Sequence, residues 1–366
     1  MQFEYQAVSN LFFGPDCVRQ QTNQWILGKR AYIVTGKYSG RMSGAMMEVT
    51  AALEENGVTY EVFEGIGNNP SVMQCKEVAA LARKMGAEFI IGIGGGSPLD
   101  AAKAISVFAT HPDLSVDDLF KNAYGDILPI VAVPTTCGTG SEVTPWSVLT
   151  RDDLQSKFSF GTKKTVPAAA LLNSNYLMSL SDAVLTHTIM DACTHCIESY
   201  ISVKASPVTE AWSLDGLRRF ANCMDAIAEK RWNDVRDELM VISLLGGLAI
   251  TKTGTTLMHG MGYPLTYYKN MTHGEANCAT LPAYLRFVDT FDSKRLGDVL
   301  TALRTDIATF SAFVRRVIPC ELVLSEEEIR HYAAQTMRQG SIRNVSHTVT
   351  QADLEAIYHM DLGAGN

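Results

Sequence analysis

The stretch E-F-I-I-G-I-G-G-G-S-P-L-D-A-A-K, residues 88–103, decides the fold of the first half of the chain. Residues 88–94 are a short, nearly continuous apolar run, which reads as a strand buried on both faces. Three consecutive glycines (Gly94, Gly95, Gly96) then break the run, and Pro98 suits the first turn of a helix that the spacing carries to about Thr110. A helix that starts at a glycine turn exposes unpaired backbone N–H groups and the positive end of its dipole. Gly94, Gly95, Gly96 and Ser97 are therefore the candidate phosphate cradle, and Asp100 lies one turn further along.

Working outward, the same strand–helix alternation recurs. R-A-Y-I-V-T-G (30–36) and T-Y-E-V-F-E-G (59–65) read as strands, with helices over about 43–55 and 71–86. I-L-P-I-V-A-V-P (127–134) reads as a further strand. Strands separated by helices of this length form βαβ units and a parallel sheet. The last of these strands runs into P-T-T-C-G-T-G-S-E-V-T (134–144), a polar turn whose Thr135, Thr136 and Thr139 offer hydroxyls where ligands bind in such sheets. The glycine turn is not the standard dinucleotide fingerprint. It follows the third predicted strand, lacks the G-x-G-x-x-G spacing, and has no acidic strand end about twenty residues on, with Asp117 and Asp118 read as loop.

From Met178 onward alternation gives way to apolar spacings of three and four, as in a helical bundle, with loops expected around Pro207, Pro264 and Pro319. The chain is thus expected to pair an α/β domain over 1–178 with an all-helical domain over 179–366. The run from Asp182 to Ser202 holds no Pro or Gly, so it reads as one helix with Asp191 and His195 four apart on one face. His259 is read as closing an apolar helix, and His273 follows in a turn-rich passage. One carboxylate and three imidazoles, without a thiolate, suit a divalent first-row ion such as Fe(II) or Zn(II).

Composition limits the alternatives. The 366 residues carry 46% hydrophobic and 19% charged side chains and a formal net charge of −8, an ordinary globular balance with no basic stripe for nucleic acid. No apolar run is long enough for a membrane span, and the first ten residues lack the plan of a signal peptide, so a cytoplasmic location is expected. The eight cysteines, including Cys193-x-x-Cys196, read as reduced, buried, small apolar residues.

Taken together, G-G-G-S-P-L-D-A-A-K (94–103), P-T-T-C-G-T-G-S-E-V-T (134–144), D-A-C-T-H-C-I-E-S-Y (191–200) and H-G-M-G-Y-P-L-x7-H-G-E-A-N (259–277) resemble the iron-containing, metal-dependent alcohol dehydrogenases. The resemblance implies the dehydroquinate synthase-like fold: a nucleotide-binding α/β domain, a helical domain and an active site in the cleft between them. It implies metal ligands at Asp191, His195, His259 and His273, a pyrophosphate turn at Gly95, Gly96 and Ser97, nicotinamide-side hydroxyls at Thr135, Thr136 and Thr139, and a cofactor contact at Lys157. Gly36, Asn69, Gly94 and Asp100 complete the expected NAD or NADP set. A homodimer acting on a small alcohol or aldehyde is implied as well, with no nucleic-acid or membrane partner. The alternatives within the fold are a glycerol dehydrogenase-like enzyme and a non-redox lyase like dehydroquinate synthase, distinguished by net consumption of cofactor.

Three departures stand out. Where the family often has Asp after its first strand, this chain has Gly36, with Lys37 and Arg41 nearby, and loss of a carboxylate admits the 2′-phosphate of NADP(H). Tyr263 stands where many members have a second His, four residues after His259, and is a candidate hydrogen-bond donor to substrate. Lys252, seven residues before His259, is expected two turns away on the same helix face, where a cation would suit a substrate with an anionic tail.

Overall fold

A computed structural model describes residues 9–364. They fall into two compact units that divide between Ser181 and Asp182, where α8 begins, three residues beyond the expected break.

Within the first unit the strands are β1 (Asn10–Phe13), β2 (Arg30–Gly36), β3 (Thr59–Ile66), β4 (Phe89–Gly94), β5 (Ile130–Pro134), β6 (Ser147–Arg151), β7 (Ser156–Phe160) and β8 (Ala169–Leu172). The helices are α1 (Cys17–Gln20), α2 (Thr22–Trp25), α3 (Ser39–Met42), α4 (Ala45–Glu55), α5 (Val72–Met85), α6 (Gly96–Thr110) and α7 (Val116–Phe120). Among the described residues, six of the strands form one sheet in the order β1-β8-β5-β4-β2-β3, every neighbouring pair parallel. Alternation along the strands divides the core. Tyr32, Val34 and Ile90 pack with α5 and α6 residues such as Val78, Ala102 and Ile105, while Ala31, Ile33 and Ile91 pack with Val49, Ala52 and Leu53 of α4. Both faces of the sheet are covered over β2, β4 and β5, which is why these strands read as apolar runs.

The predicted strands at 30–36, 59–65 and 88–94 match β2, β3 and β4 to within a residue. The strands with no counterpart among the expected elements are edge strand β1, strand β8, and the antiparallel hairpin β6–β7, whose Thr150 pairs with Lys157. Asp117 and Asp118 belong to the single turn of α7 rather than a loop, since Ser115 caps that turn by accepting from the Asp118 N–H.

The second unit is helical: α8 (Asp182–Ile201), α9 (Pro207–Ala228), α10 (Trp232–Thr253), α11 (Leu257–Lys269), α12 (His273–Ala279), α13 (Leu281–Leu303), α14 (Ile307–Val317), α15 (Glu326–Thr336) and α16 (Gln351–Leu362). One of the expected proline loops is corrected, while the one at Pro207 is present over residues 202–206. Pro207 opens α9 at its first position, where a missing N–H is harmless, and Pro264 lies inside α11. The single helix expected to end at His259 is two helices, bent by 107° where α10 stops at Gly254 and α11 begins at Leu257. No single helix among the described residues is long and apolar enough to cross a membrane.

Candidate metal centre and cofactor turn

Asp191 and His195 sit one turn apart on α8, at 2% and 3% exposure, and His259 lies in the first turn of α11 at 2%. One donor atom from each lies within 4.8 Å of the others. Nε2 of His259 is 2.9 Å from Nε2 of His195 and 3.5 Å from Oδ1 of Asp191. The two rings stack with centroids 4.6 Å apart. His273, the first residue of α12, brings Nε2 to 3.8 Å from the same Oδ1, and its ring centroid is 5.1 Å from that of His259. The close approach of α12 depends on Gly274, since a Cβ there would lie 1.9 Å from the carbonyl oxygen of His187 on α8.

Charge at the trio is arranged for a cation. Burial alone would raise the Asp191 pKa, yet the imidazoles of His195, His273 and His259 hold it far below the usual carboxylate range. Burial likewise pushes His259 down, but Glu198 and Asp191 outweigh it and lift that group to about 9. The pocket therefore favours positive charge between two imidazole nitrogens and a carboxylate. A proton supplies it in the metal-free protein, and a divalent ion with an O,N,N donor set suits the same place. Asn277 donates from Nδ2 to Oδ1 of Asp191 at 2.9 Å, fixing the carboxylate.

One contributor escaped the sequence reading. Glu198 is 0% exposed, follows His195 by three and Asp191 by seven on α8, and accepts from Nδ1 of His259. A D-x3-H-x2-E spacing puts all three on one helix face, so the signal was present in 191–198. Other expected residues land differently. Tyr263, four residues after His259 on α11, stacks on His273 with centroids 5.9 Å apart. Lys252 does not share a helix face with His259, because the 107° bend separates its helix from that of His259.

In the first unit the two ligand-type turns follow neighbouring strands. Gly94 pairs with Pro134, and the Thr135 N–H donates to the Gly94 carbonyl at 2.9 Å. α6 starts at Gly96 with no side chain capping it, leaving its first N–H groups open to an anion. The turns interlock: a Cβ on Gly96 would meet Cγ2 of Thr139 at 2.7 Å, and one on Gly95 would meet Cγ2 of Thr136 at 3.0 Å. Asn69, at φ 58°, donates its N–H to Oγ of Ser97 at 3.3 Å, which puts it beside the cradle. Gly36 ends β2 next to β4, with Oγ of Ser39 2.9 Å from where its Cβ would be.

Asp100 is engaged within the protein on both carboxylate oxygens. Oδ1 accepts from Oγ of Ser141 at 2.6 Å and Oδ2 from the Val148 N–H at 2.9 Å, tying α6 to the polar turn and to the hairpin. Beside it, Lys103 is wholly buried and donates to Oγ of Ser141 and the carbonyl of Trp146, both at 2.7 Å. Lys157, on β7, is 6% exposed, and its charge is felt at Asp100.

Comparison with known proteins agrees with this geometry. The iron-containing alcohol dehydrogenase family model matches residues 9–174, and the model of the C-terminal part of that family matches residues 185–362. The chain belongs to the iron-containing alcohol dehydrogenase family. The 1,3-propanediol dehydrogenase of Citrobacter freundii is 34% identical over 307 residues, 81% of this chain and 78% of that one. The NADPH-dependent butanol dehydrogenase of Clostridium saccharobutylicum is 29% identical over 76% of this chain and 72% of its own. The structure of an iron-containing alcohol dehydrogenase from Thermotoga maritima superposes with a TM-score of 0.92 at 32% identity, covering 99% of both chains. As an iron-containing alcohol dehydrogenase, the protein is a metal-dependent oxidoreductase acting on CH–OH, linked to NAD(P) and a divalent metal, typically Fe2+.

Proposed function

We propose that the protein interconverts a small aliphatic alcohol and its aldehyde, with Asp191, His195, His259 and His273 as the metal ligands. The observation that carries this is the buried trio in which Nε2 of His259 sits 2.9 Å from Nε2 of His195 and 3.5 Å from the Asp191 carboxylate. Bound there, a divalent ion supplies Lewis acidity, favouring the ionised form of an alcohol and polarising an aldehyde. The protein's residues do the rest. Asn277 and Glu198 fix the ligands, and Tyr263, stacked on His273, holds that ring and brings a phenol into its neighbourhood. The relatives named for propanediol, lactaldehyde and butanol support a short, uncharged substrate. No anionic tail is proposed, since the bend removes the argument for Lys252.

The uncapped start of α6, with Gly94, Gly95, Gly96 and Ser97, receives the cofactor pyrophosphate in this reading, with Asn69, Thr136 and Thr139 beside it, and Thr135 and Lys157 are assigned to the cofactor by the family resemblance. Asp100 we assign to tethering rather than to contact with the cofactor. Gly36 and Arg41 support NADP(H) as a cofactor. The acidic charge of −8 supports a protein without a polyanion partner, and we infer a cytoplasmic homodimer, which light scattering tests. The deciding experiment for the whole assignment is His259→Ala. Turnover is expected to disappear while cofactor still binds, and undiminished turnover overturns the metal assignment.

A further inference from the structure

A carboxylate with no exposure must have every lone pair answered, and the partners of Glu198 are informative. Oε1 accepts from Oγ1 of Thr256 at 2.7 Å and from the Met258 N–H at 2.8 Å, with the His259 N–H at 3.4 Å. Oε2 takes the Nδ1 proton of His259. α11 begins just after the bend, and its own N-cap, Thr256, makes no capping hydrogen bond within the helix. Its hydroxyl turns instead to Glu198 and to the phenol of Tyr284, 2.8 Å away. The first turn of α11 is thus capped from another helix, α8, by the side chain that also grips the His259 ring.

We propose that Glu198 is the positioning residue for His259. One oxygen anchors the backbone of α11 where His259 leaves it, and the other holds the proton on Nδ1, so that Nε2 keeps its lone pair toward His195 and Asp191. A neutral imidazole carries one proton, so a fixed Nδ1–H leaves Nε2 as the free donor atom. Asp191, His195 and Glu198 share one face of α8, so a single rigid helix carries two ligands and the clamp for the third. The inference rests on the reading of Asp191, His195 and His259 as metal ligands.

The test uses the full chain, stripped with a chelator, and zinc as the probe. Zinc affinity is measured by competition with a chromophoric chelator, and the His259 tautomer, in the zinc-loaded protein, by ¹⁵N shifts of the histidine rings. Glu198→Gln can accept from α11 or from His259 but not from both, and its amide N–H favours the opposite tautomer. The expected result is a roughly ten- to hundredfold weaker zinc complex together with loss of the Nδ1–H signature. A lower melting temperature with unchanged zinc affinity and unchanged ring shifts would mean that Glu198 only caps the helix, and overturns the proposal. Should Glu198→Gln not fold, Glu198→Asp keeps the charge but is a methylene too short to span both partners. Weakened zinc binding is expected there too, and wild-type binding overturns the proposal. His259→Ala separates the two readings. If it binds zinc like wild type, the ligand assignment itself falls; if it loses zinc while Glu198→Gln does not, only the role of Glu198 falls.

Discussion

His195 and His259 hold their Nε2 atoms 2.9 Å apart with the rings 21° from parallel, although 64 residues separate them in the chain. Two ring nitrogens at that distance in a buried pocket repel unless a proton or a cation lies between them, and a bound ion adds its binding free energy to the helical unit. Removing bound metal should therefore destabilise the helical unit and leave the α/β unit nearly untouched. Metal present at about a thousand times its Kd contributes about 4 kcal/mol, so chelation should lower the melting temperature of that unit by roughly 10 °C. Calorimetry with and without chelator checks this; identical curves would count against a resident ion.

Gly96 is required by its neighbour as much as by its ligand. In Gly96→Ala the new methyl meets Cγ2 of Thr139 at 2.7 Å, and overpacking of that kind costs about 1–3 kcal/mol. Cofactor binding, followed by fluorescence titration, should weaken by about tenfold or more. Adding Thr139→Ser removes the opposing methyl and keeps the hydroxyl, so the double variant should regain part of the loss. No regain would mean that the glycine serves the ligand alone.

The buried carboxyl of Glu142 gives a pH dependence with a definite sign. Burial pushes its pKa up to about 7 from an ordinary 4.5, and Oε1 has no hydrogen-bond partner among the described residues. A raised folded-state value means that the folded protein holds a proton the unfolded chain releases. The contribution is complete below about 4.5 and is lost as pH rises through about 7. In Glu142→Gln, denaturant midpoints compared at pH 5 and pH 7 should lose that downward trend. The same slope in both proteins would assign it elsewhere.

Cofactor choice turns on Arg41 and Glu64. Nε of Arg41 donates to Oε2 of Glu64 at 2.6 Å, and Glu64 pairs in register with Thr35, the residue before Gly36. The guanidinium is available to a 2′-phosphate only in competition with that carboxylate. NADP(H) should be used at least as well as NAD(H). Arg41→Ala should lower kcat/KM for NADPH about tenfold with little effect on NADH, and Glu64→Gln should shift preference further toward NADPH. A strong NAD preference in the wild-type enzyme contradicts the assignment.

Local spacing carried much of this protein. Apolar runs ended by glycine gave β2, β3, β4 and the start of α6, because strand burial and helix initiation are set by neighbours in the chain. The same logic put Asp191 and His195 on one face of α8, since a helix maps a four-residue interval directly onto space. Where partners are distant in sequence, spacing gave no answer. Ala169–Leu172 is a strand because β1 and β5 flank it, not through strand propensity of its own residues. Lys252 and His259 would be neighbours only on an unbroken helix, and the 107° bend after α10 separates them. Glu198 bears on the metal centre through Thr256, Met258 and His259, 58 to 61 residues away, and only the packing of α11 against α8 brings them together. Local pattern settles which side chains are available and which share an element. Tertiary packing decided which elements meet, because that depends on burying faces whose partners the local pattern does not name.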